Sequence, residues 1–368
     1  MTEPFEGMLD RALDAMGLPR RDRWDLPDSR RRFPDGAAFR IEIPSTEGPA
    51  CLEAILEESA RLDVPVHRVS QGSGVFMQTD RELDRMAMLG AEAGIEVSLF
   101  ARPSAAWGPS AGSRSTAGAV LAPTAWGQDQ VRFAMQDVLR AAAHGFRSVL
   151  IGDIGVLAMF DFMKRSGELP EDMLAKTSVM LPAANPAAAR LLERLGAGTL
   201  NLPGDLTLAQ VAGIREAVGV PIDFYVESPD SLGRFVRLPE VPELIRVAAP
   251  VYVKMGLSNA PDLYPSGAHL VDTAVAMSRE RVRRARLVLE LLERAGMSIE
   301  TSRPGSAGLR VPIAAGAPAP AAAGQRRAGS SPPGAHPLKP ELGSDWDPGR
   351  GEPAHRRRSG RPRTGSPG

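Results

Sequence analysis

Between Ala38 and Gly296 the chain alternates short runs rich in β-branched residues with longer amphipathic stretches. The short runs are FRIEIP from Phe39, VPVHRV from Val64, IEVSLF from Ile95, RSVLIG from Arg147, KTSVML from Lys176, GTLNLP from Gly198, PIDFYV from Pro221 and APVYVK from Ala249. Length and residue type make each a strand. Between them lie CLEAILEESARLD, RELDRMAMLGAEAG, QVRFAMQDVLRAAAHG, NPAAARLLERLG and LTLAQVAGIREAVG, with apolar residues at helical spacing and, in several, a closing glycine. A shorter stretch, ELIRVA, precedes the eighth run, and a long one from Ala274 to Ala295 follows it. Strand then helix, repeated over roughly 250 residues, predicts a (β/α)8 barrel of the TIM type over residues 38–300. The first 37 residues, with the helical pattern MLDRALDAMG and an arginine-rich segment, are expected to form a helical cap.

Alternate residues of a barrel strand face the helix layer and the barrel interior. Ile222, Phe224 and Val226 therefore take the outer face of the seventh strand, which turns Asp223, Tyr225 and Glu227 inward. The same parity sends Arg40 and Glu42 inward on the first strand, Tyr252 and Lys254 on the eighth, and Asn201 on the sixth. Barrel interiors are ordinarily layered with branched aliphatics, and a buried charge costs several kcal/mol unless paired. A polar interior is thus the expectation that sets this chain apart. The first and eighth strands are neighbours in a closed ring, as are the seventh and eighth. Glu42, Glu227 and Lys254 are accordingly expected to converge at the C-terminal rim, where active sites of this fold sit. The competing reading makes them paired charges that hold the ring together, as expected for Arg40, Glu42 and Asp223 lower down.

Other rim candidates come from the strand ends. His67 is read as closing the second strand, either as an acid–base group or as a histidine satisfied by hydrogen bonds. The loop Ser70-Gln71-Gly72-Ser73-Gly74 that follows offers backbone amides to a carboxylate or phosphate. Asp153, just past the fourth strand, either binds a substrate hydroxyl or cation or caps the next helix. Asn185, followed by proline, is expected to be an N-cap. The long connection from Ala101 to Gln128 is read as a lid with Arg102 at its root and Trp107 and Trp126 as closing groups, or else as an insertion with its tryptophans on the outer helices. Asn259, Asp262, Tyr264 and His269 in the loop after the eighth strand form the other wall. Asn201, Tyr225 and Asn259 join Arg102 and Asp153 as substrate-binding candidates.

Composition narrows the class without naming it. With 43% hydrophobic and 24% charged residues the chain is globular in type. Its 44 basic residues balance 44 acidic ones, so no global field favours nucleic acid or an anionic membrane. From Gly316 onward nine Lys or Arg face four Asp or Glu in a Pro, Gly, Ser and Arg-rich stretch. Residues 301–368 are expected to be a disordered tail, and nucleic acid is expected only as a contact of that basic arm. The one cysteine, Cys51, excludes an intrachain disulfide and an iron–sulfur cluster built on several cysteines of this chain, and is read as core. The N-terminus lacks the apolar run of a secretory signal, and the most apolar stretch, 148–163, carries Asp153 and Asp161. A cytoplasmic protein that meets no membrane is the expectation, acting on a small-molecule or peptide substrate; a homo-oligomer is left open.

The run NPAAARLLERLGAGTLNLPGDLTLAQVAGIREAVGVPIDFYVESPDSLG, from Asn185 to Gly233, resembles the core of the collagenase-like peptidase family U-32, and the resemblance extends over residues 39 to 300. It implies a barrel and a hydrolase. In that family the strand matching DFYVE leads into a cysteine-bearing segment, whereas SPDSLG here has none, so the cysteine-dependent metal clusters of some members do not carry over. A hydrolase of this kind would use Glu42, His67, Asp153 and Glu227 as acid and base or as holders of a divalent metal, with Lys254 or Arg102 facing negative charge. The alternative is a lyase or isomerase acting on a small oxyacid, in which Lys254 forms a Schiff base or steadies an enolate and Arg102 holds the carboxylate. A ligand-binding barrel without turnover is the third reading.

Overall fold

The computed structural model describes residues 3–20, 22, 25–103, 124–296 and 301–314, with side chains from residue 7. Contacts divide the chain into residues 1–319 and 320–368, and the second unit lies wholly outside the described residues. After helix α1 (Glu3–Ala15) the elements alternate: β1 (Phe39–Pro44), α2 (Pro49–Leu62), β2 (Val66–Ser70), α3 (Asp80–Ala93), β3 (Glu96–Ala101), α4 (Gln128–Ala143), β4 (Ser148–Ile151) and α5 (Ile154–Arg165). There follow β5 (Leu174–Thr177), α6 (Pro186–Arg194), β6 (Ala197–Leu202), α7 (Leu208–Ala217), β7 (Ile222–Glu227), α8 (Val241–Ala248), β8 (Val251–Met255) and α9 (Val271–Arg294). The eight strands pair in parallel in sequence order and β8 returns to β1, closing the (β/α)8 barrel that the alternation predicts.

Local chemistry starts and stops the helices. Thr79 with Glu82 and Thr207 with Gln210 form capping boxes on α3 and α7, and the Asn185 carboxamide caps α6 by accepting from the Ala188 N–H at 2.9 Å. Gly94, at φ 65°, ends α3 in the left-handed region. The outward strand residues, among them Ile41, Ile43, Val97, Leu99, Val149, Ile151, Leu200, Ile222, Phe224, Val251 and Val253, join the inner faces of the helices in one continuous apolar layer. Burying each such side chain contributes about 1.5–3 kcal/mol, and this layer carries the fold.

Two strands sit out of register with the sequence reading. β2 starts at Val66, two residues late, and runs through Ser70, while β5 starts at Leu174, two residues early. Past Thr177 the backbone turns instead of extending: Ser178 O accepts from the Leu181 N–H and Ser178 Oγ from the Met180 N–H. Residues 301–314, assigned to the tail by composition, belong to the barrel. Thr301 bridges Phe39, the Gly305 N–H donates to Gly94 O, and the Ile313 N–H donates to Gly145 O. This segment closes the N-terminal end of the ring together with Phe33, which packs edge-on against Tyr252. No helix among the described residues is long and apolar enough to cross a membrane.

Candidate functional site

Hydrogen bonds that span the ring show what fills it. Lys176 of β5 donates to Glu42 of β1 and to Asp223 of β7, each at 2.8 Å. Arg68 of β2 donates from Nε to Glu42 Oε2 at 2.8 Å and from Nη2 to Asp223 Oδ1. Ser70 Oγ reaches Glu42 Oε1 at 2.7 Å, Thr199 Oγ1 reaches Asp223 Oδ2 at 2.9 Å, and Glu96 stands 3.5 Å from Arg68. Lys254 of β8 lies 3.4 Å from Glu42. Three cations, Arg68, Lys176 and Lys254, thus meet three carboxylates, Glu42, Asp223 and Glu96, in a neutral buried network. Charge balance and near-complete hydrogen bonding are what make such a core tolerable. Burial alone would raise the Glu42 pKa, but Arg68, Lys176 and Lys254 reverse that and hold it well below the usual carboxylate range. Burial and the neighbouring Arg68 bring Lys176 down to about 8.

The network has a top and a bottom. At the N-terminal end Arg40 donates from Nε to Ser302 Oγ at 2.8 Å, from Nη1 to the Tyr252 hydroxyl at 3.2 Å and from Nη2 to Ala307 O at 2.7 Å. His67 is here as well, not at the rim. Its Nδ1 accepts from the Ile41 N–H at 2.9 Å, which leaves Nε2–H to donate to Ser302 O at 2.8 Å. Burial lowers its pKa to about 4, so it is neutral near pH 7. Expecting it at the rim placed the end of β2 three residues too early.

At the C-terminal end stands Lys254. It is 2% exposed, whereas Glu42, Arg68, Lys176 and Asp223 are 0% exposed. Its ammonium lies 4.0 Å from the centroid of the Tyr225 ring and, with the Asn201 amide oxygen turned towards it, 2.9 Å from that oxygen. Burial pushes the Lys254 pKa below the usual lysine value against the pull of Glu42 and Asp223. Lys254, Asn201 and Tyr225 therefore come together as the parity argument requires, with Glu42 immediately beneath.

Glu227 does not join them. The pairing of β7 with β8 slips between Tyr225 and Glu227, so that Glu227 pairs with Met255 instead of pointing inward with Tyr225. The carboxylate turns to the helix layer, 3.2 Å from Arg284 of α9, and accepts from Ser258 N–H at 3.0 Å and Ser258 Oγ at 2.9 Å. Asp153 caps α5 by accepting from the Val156 N–H and anchors the re-entering chain through the Ala125 N–H, both at 2.9 Å. The amides of the Ser70–Gly74 loop are taken by the chain itself: Gly72 and Ser73 donate to Glu47 at 2.7 and 3.0 Å. Asn259 is exposed and held by its backbone N–H on Asp230, as is consistent with a wall position but not with the lysine's surroundings. Arg102 donates to Gly72 O at 3.0 Å, and its guanidinium lies 6.0 Å from the Tyr264 ring. Trp126 is exposed at the start of α4, and Trp107 lies outside the described residues. Cys51 is buried in a small apolar cluster with Leu257, Leu263, Ala274 and Met277, and burial raises its thiol pKa, so it is core as expected.

The donors for a divalent metal are thus scattered: Glu42 is saturated by the network, His67 is at the opposite end, Asp153 caps a helix and Glu227 faces outward. Among the described residues no three His, Cys, Asp or Glu side chains lie close enough to share an ion. Arg68, Lys176 and Glu96 were not among the expected site residues: VPVHRV carries valines at both parities and so announces no inner face, KTSVML leaves the strand after Thr177, and Glu96 is at the first position of β3.

No family model matches the chain, and no curated protein does either. Solved barrels are similar in fold. A U32 peptidase is 16% identical, with a TM-score of 0.36 over 64% of this chain and 98% of its own. Thiamine phosphate pyrophosphorylase from Pyrococcus furiosus is 12% identical, with a TM-score of 0.37 over 70% and 98%. The carboxyl transferase domain of Rhizobium etli pyruvate carboxylase is 14% identical, with a TM-score of 0.40 over 74% of this chain and 50% of that one. The three differ in chemistry, and the likeness of each is one of barrel architecture.

Proposed function

We propose that the chain is a barrel enzyme of the lyase or isomerase type in which Lys254 engages a carbonyl substrate as an imine. The observation that carries the reading is the position of this amine: it is the outermost charge of a buried network, at the C-terminal end of the ring, with its pKa lowered by burial. A nucleophilic lysine must lose its proton near neutral pH, and desolvation is the usual means. The amine adds to the carbonyl carbon, the nitrogen loses two protons, and the carbonyl oxygen leaves as water. Glu42, 3.4 Å from Lys254 and 2.8 Å from Lys176, offers a path by which a proton passes between the two amines. Asn201 and the Tyr225 ring fix the amine's direction. The hydrolase reading finds less support, since the side chains it needs do not meet.

Borohydride reduction in the presence of aldehydes and oxo acids tests this. The expected result is irreversible addition of one substrate mass to the peptide containing Lys254, absent in Lys254→Met. Lack of any adduct across the panel, or labelling of exposed lysines only, overturns it.

A further inference from the structure

A second buried cation stands at the mouth, and it lacks the partners that every cation of the network has. Arg281 of α9 is 3% exposed, yet its Nε and Nη1 have no hydrogen-bond partner, and it forms no ion pair among the described residues. Its electrostatic neighbours are the hydroxyls of Tyr264 and Tyr225, the Glu47 carboxyl and the Cys51 thiol. Glu47 is already engaged by the amides of Gly72 and Ser73. A cavity of about 190 Å³ beside the mouth has Glu47 and Cys51 in its wall, together with Ala274, which lies two helical turns before Arg281 on the same face of α9. Burying a guanidinium with unfilled donors is costly, and a missing ion, water or ligand is one of the few explanations for such a group in a native protein.

We infer that Arg281 is the anchor for the carboxylate of the substrate whose carbonyl meets Lys254, which makes the substrate class the oxo acids. The inference rests on the imine reading for the carbonyl end and is independent of it for the anion. A planar guanidinium is matched bidentately by a carboxylate. Burial keeps the Tyr225 and Tyr264 phenols protonated; the Tyr225 hydroxyl can donate to an anion, while that of Tyr264 is hydrogen-bonded to Ser45 Oγ. Tyr225 connects the two ends, its ring under Lys254 and its hydroxyl near Arg281. Arg281 has no ion pair among the described residues, so its own charge is left without a counter-charge in contact. A monoanion neutralises it, whereas a phosphate dianion would bury a surplus negative charge.

The test uses the full chain with pyruvate and 4-oxopentanoate, their ketone-free partners lactate and pentanoate, and inorganic phosphate. Calorimetric titration and melting temperature are the readouts. At least one carboxylate pair is expected to bind saturably and raise the melting temperature, with phosphate neither binding nor competing. Arg281→Met is expected to weaken that binding at least tenfold while keeping or raising the melting temperature in anion-free buffer, and Arg281→Lys is expected to fall between. Lys254→Met should bind the ketone-free acid as the native chain does. Loss of borohydride trapping with that binding intact would sink the imine reading alone. Failure of every carboxylate to bind, unchanged binding in Arg281→Met, or a lower melting temperature of Arg281→Met without anion would overturn the assignment, the last by making Arg281 a structural cation.

Discussion

Arg40 and Arg281 are both buried arginines, one at each end of the barrel, and they are held in opposite ways. All three guanidinium nitrogens of Arg40 donate to the segment 302–307 or to Tyr252, while two of the three in Arg281 donate to nothing. The histidines and lysines follow the same division. His67 at the bottom has both ring nitrogens engaged by backbone, whereas Lys254 at the mouth has its amine beside an aromatic face, with the Asn201 oxygen at 2.9 Å and Glu42 at 3.4 Å. A satisfied buried charge is a structural device that fixes one register of the ring. An unsatisfied one calls for its own explanation, and Arg281 differs from Arg215 of α7, whose Nε and Nη1 are also without partners, in facing two tyrosines at the C-terminal end of the ring. On the proposed reading, the bottom of this barrel is closed by its own chain and the mouth receives a ligand.

If the division holds, changes below the mouth should cost stability and changes at it should cost activity. The largest loss is expected for Arg68→Met, which leaves Glu42, Asp223 and Glu96 short of a positive charge: about 3–5 kcal/mol by denaturant unfolding, since breaking one partner of a buried pair strands the rest. Next comes acid sensitivity from His67. Its folded value of about 4 lies below the ordinary 6.5, so the unfolded chain binds the extra proton between those values. Its contribution is complete above pH 6.5 and fades as the pH falls through about 4, a loss of roughly 3 kcal/mol. Asp137, raised to about 7 by burial, works in the opposite sense and stabilises the fold most below its ordinary 3.8. The histidine's share is therefore the difference in pH slope between the native chain and His67→Gln; equal slopes would place His67 outside the closure.

Smaller effects are expected at the mouth. A Cβ at Gly72 would lie 2.7 Å from the Tyr264 hydroxyl, so Gly72→Ala should displace that ring from Ser45 at a cost of about 1–3 kcal/mol and weaken carboxylate binding. Lys254→Met should be the mildest for the fold, because Lys254 is the most weakly tied of the three cations, 3.4 Å from Glu42, and Glu42 keeps Arg68, Lys176 and Ser70. It should nevertheless remove turnover. A large stability loss in Lys254→Met would erase the contrast between the two ends.

The fold was legible because its strands alternate. Ile222, Phe224, Val251 and Val253 announce an outer face, and Asp223, Tyr225 and Lys254 an inner one that is polar where aliphatic filling is usual. The alternation fails at a bulge, which carries no residue signature, and one slipped residue turned Glu227 outward. It also gives no answer where a run carries apolar residues at both parities, as VPVHRV does, and that hid Arg68. The boundary of the tail was misread because TSRPGSAGLRVPI has the composition of a loop, and only its backbone contacts to Phe39, Gly94 and Gly145 make it part of the ring. Arg281 had no signal at all. It sits in SRERVRRAR, five arginines of which the others face or approach solvent, and periodicity does not single out the one that turns towards two tyrosines.

The most direct test of the mouth is the ionisation of Lys254 itself, followed by NMR of lysine side chains labelled at Cε and Nζ and assigned with Lys254→Met. The account predicts a titration midpoint clearly below the ordinary 10.5 and a further change when a bound carboxylate neutralises Arg281. A midpoint at or above 10.5 would contradict it, leaving Lys254 as one more paired charge in a structural core.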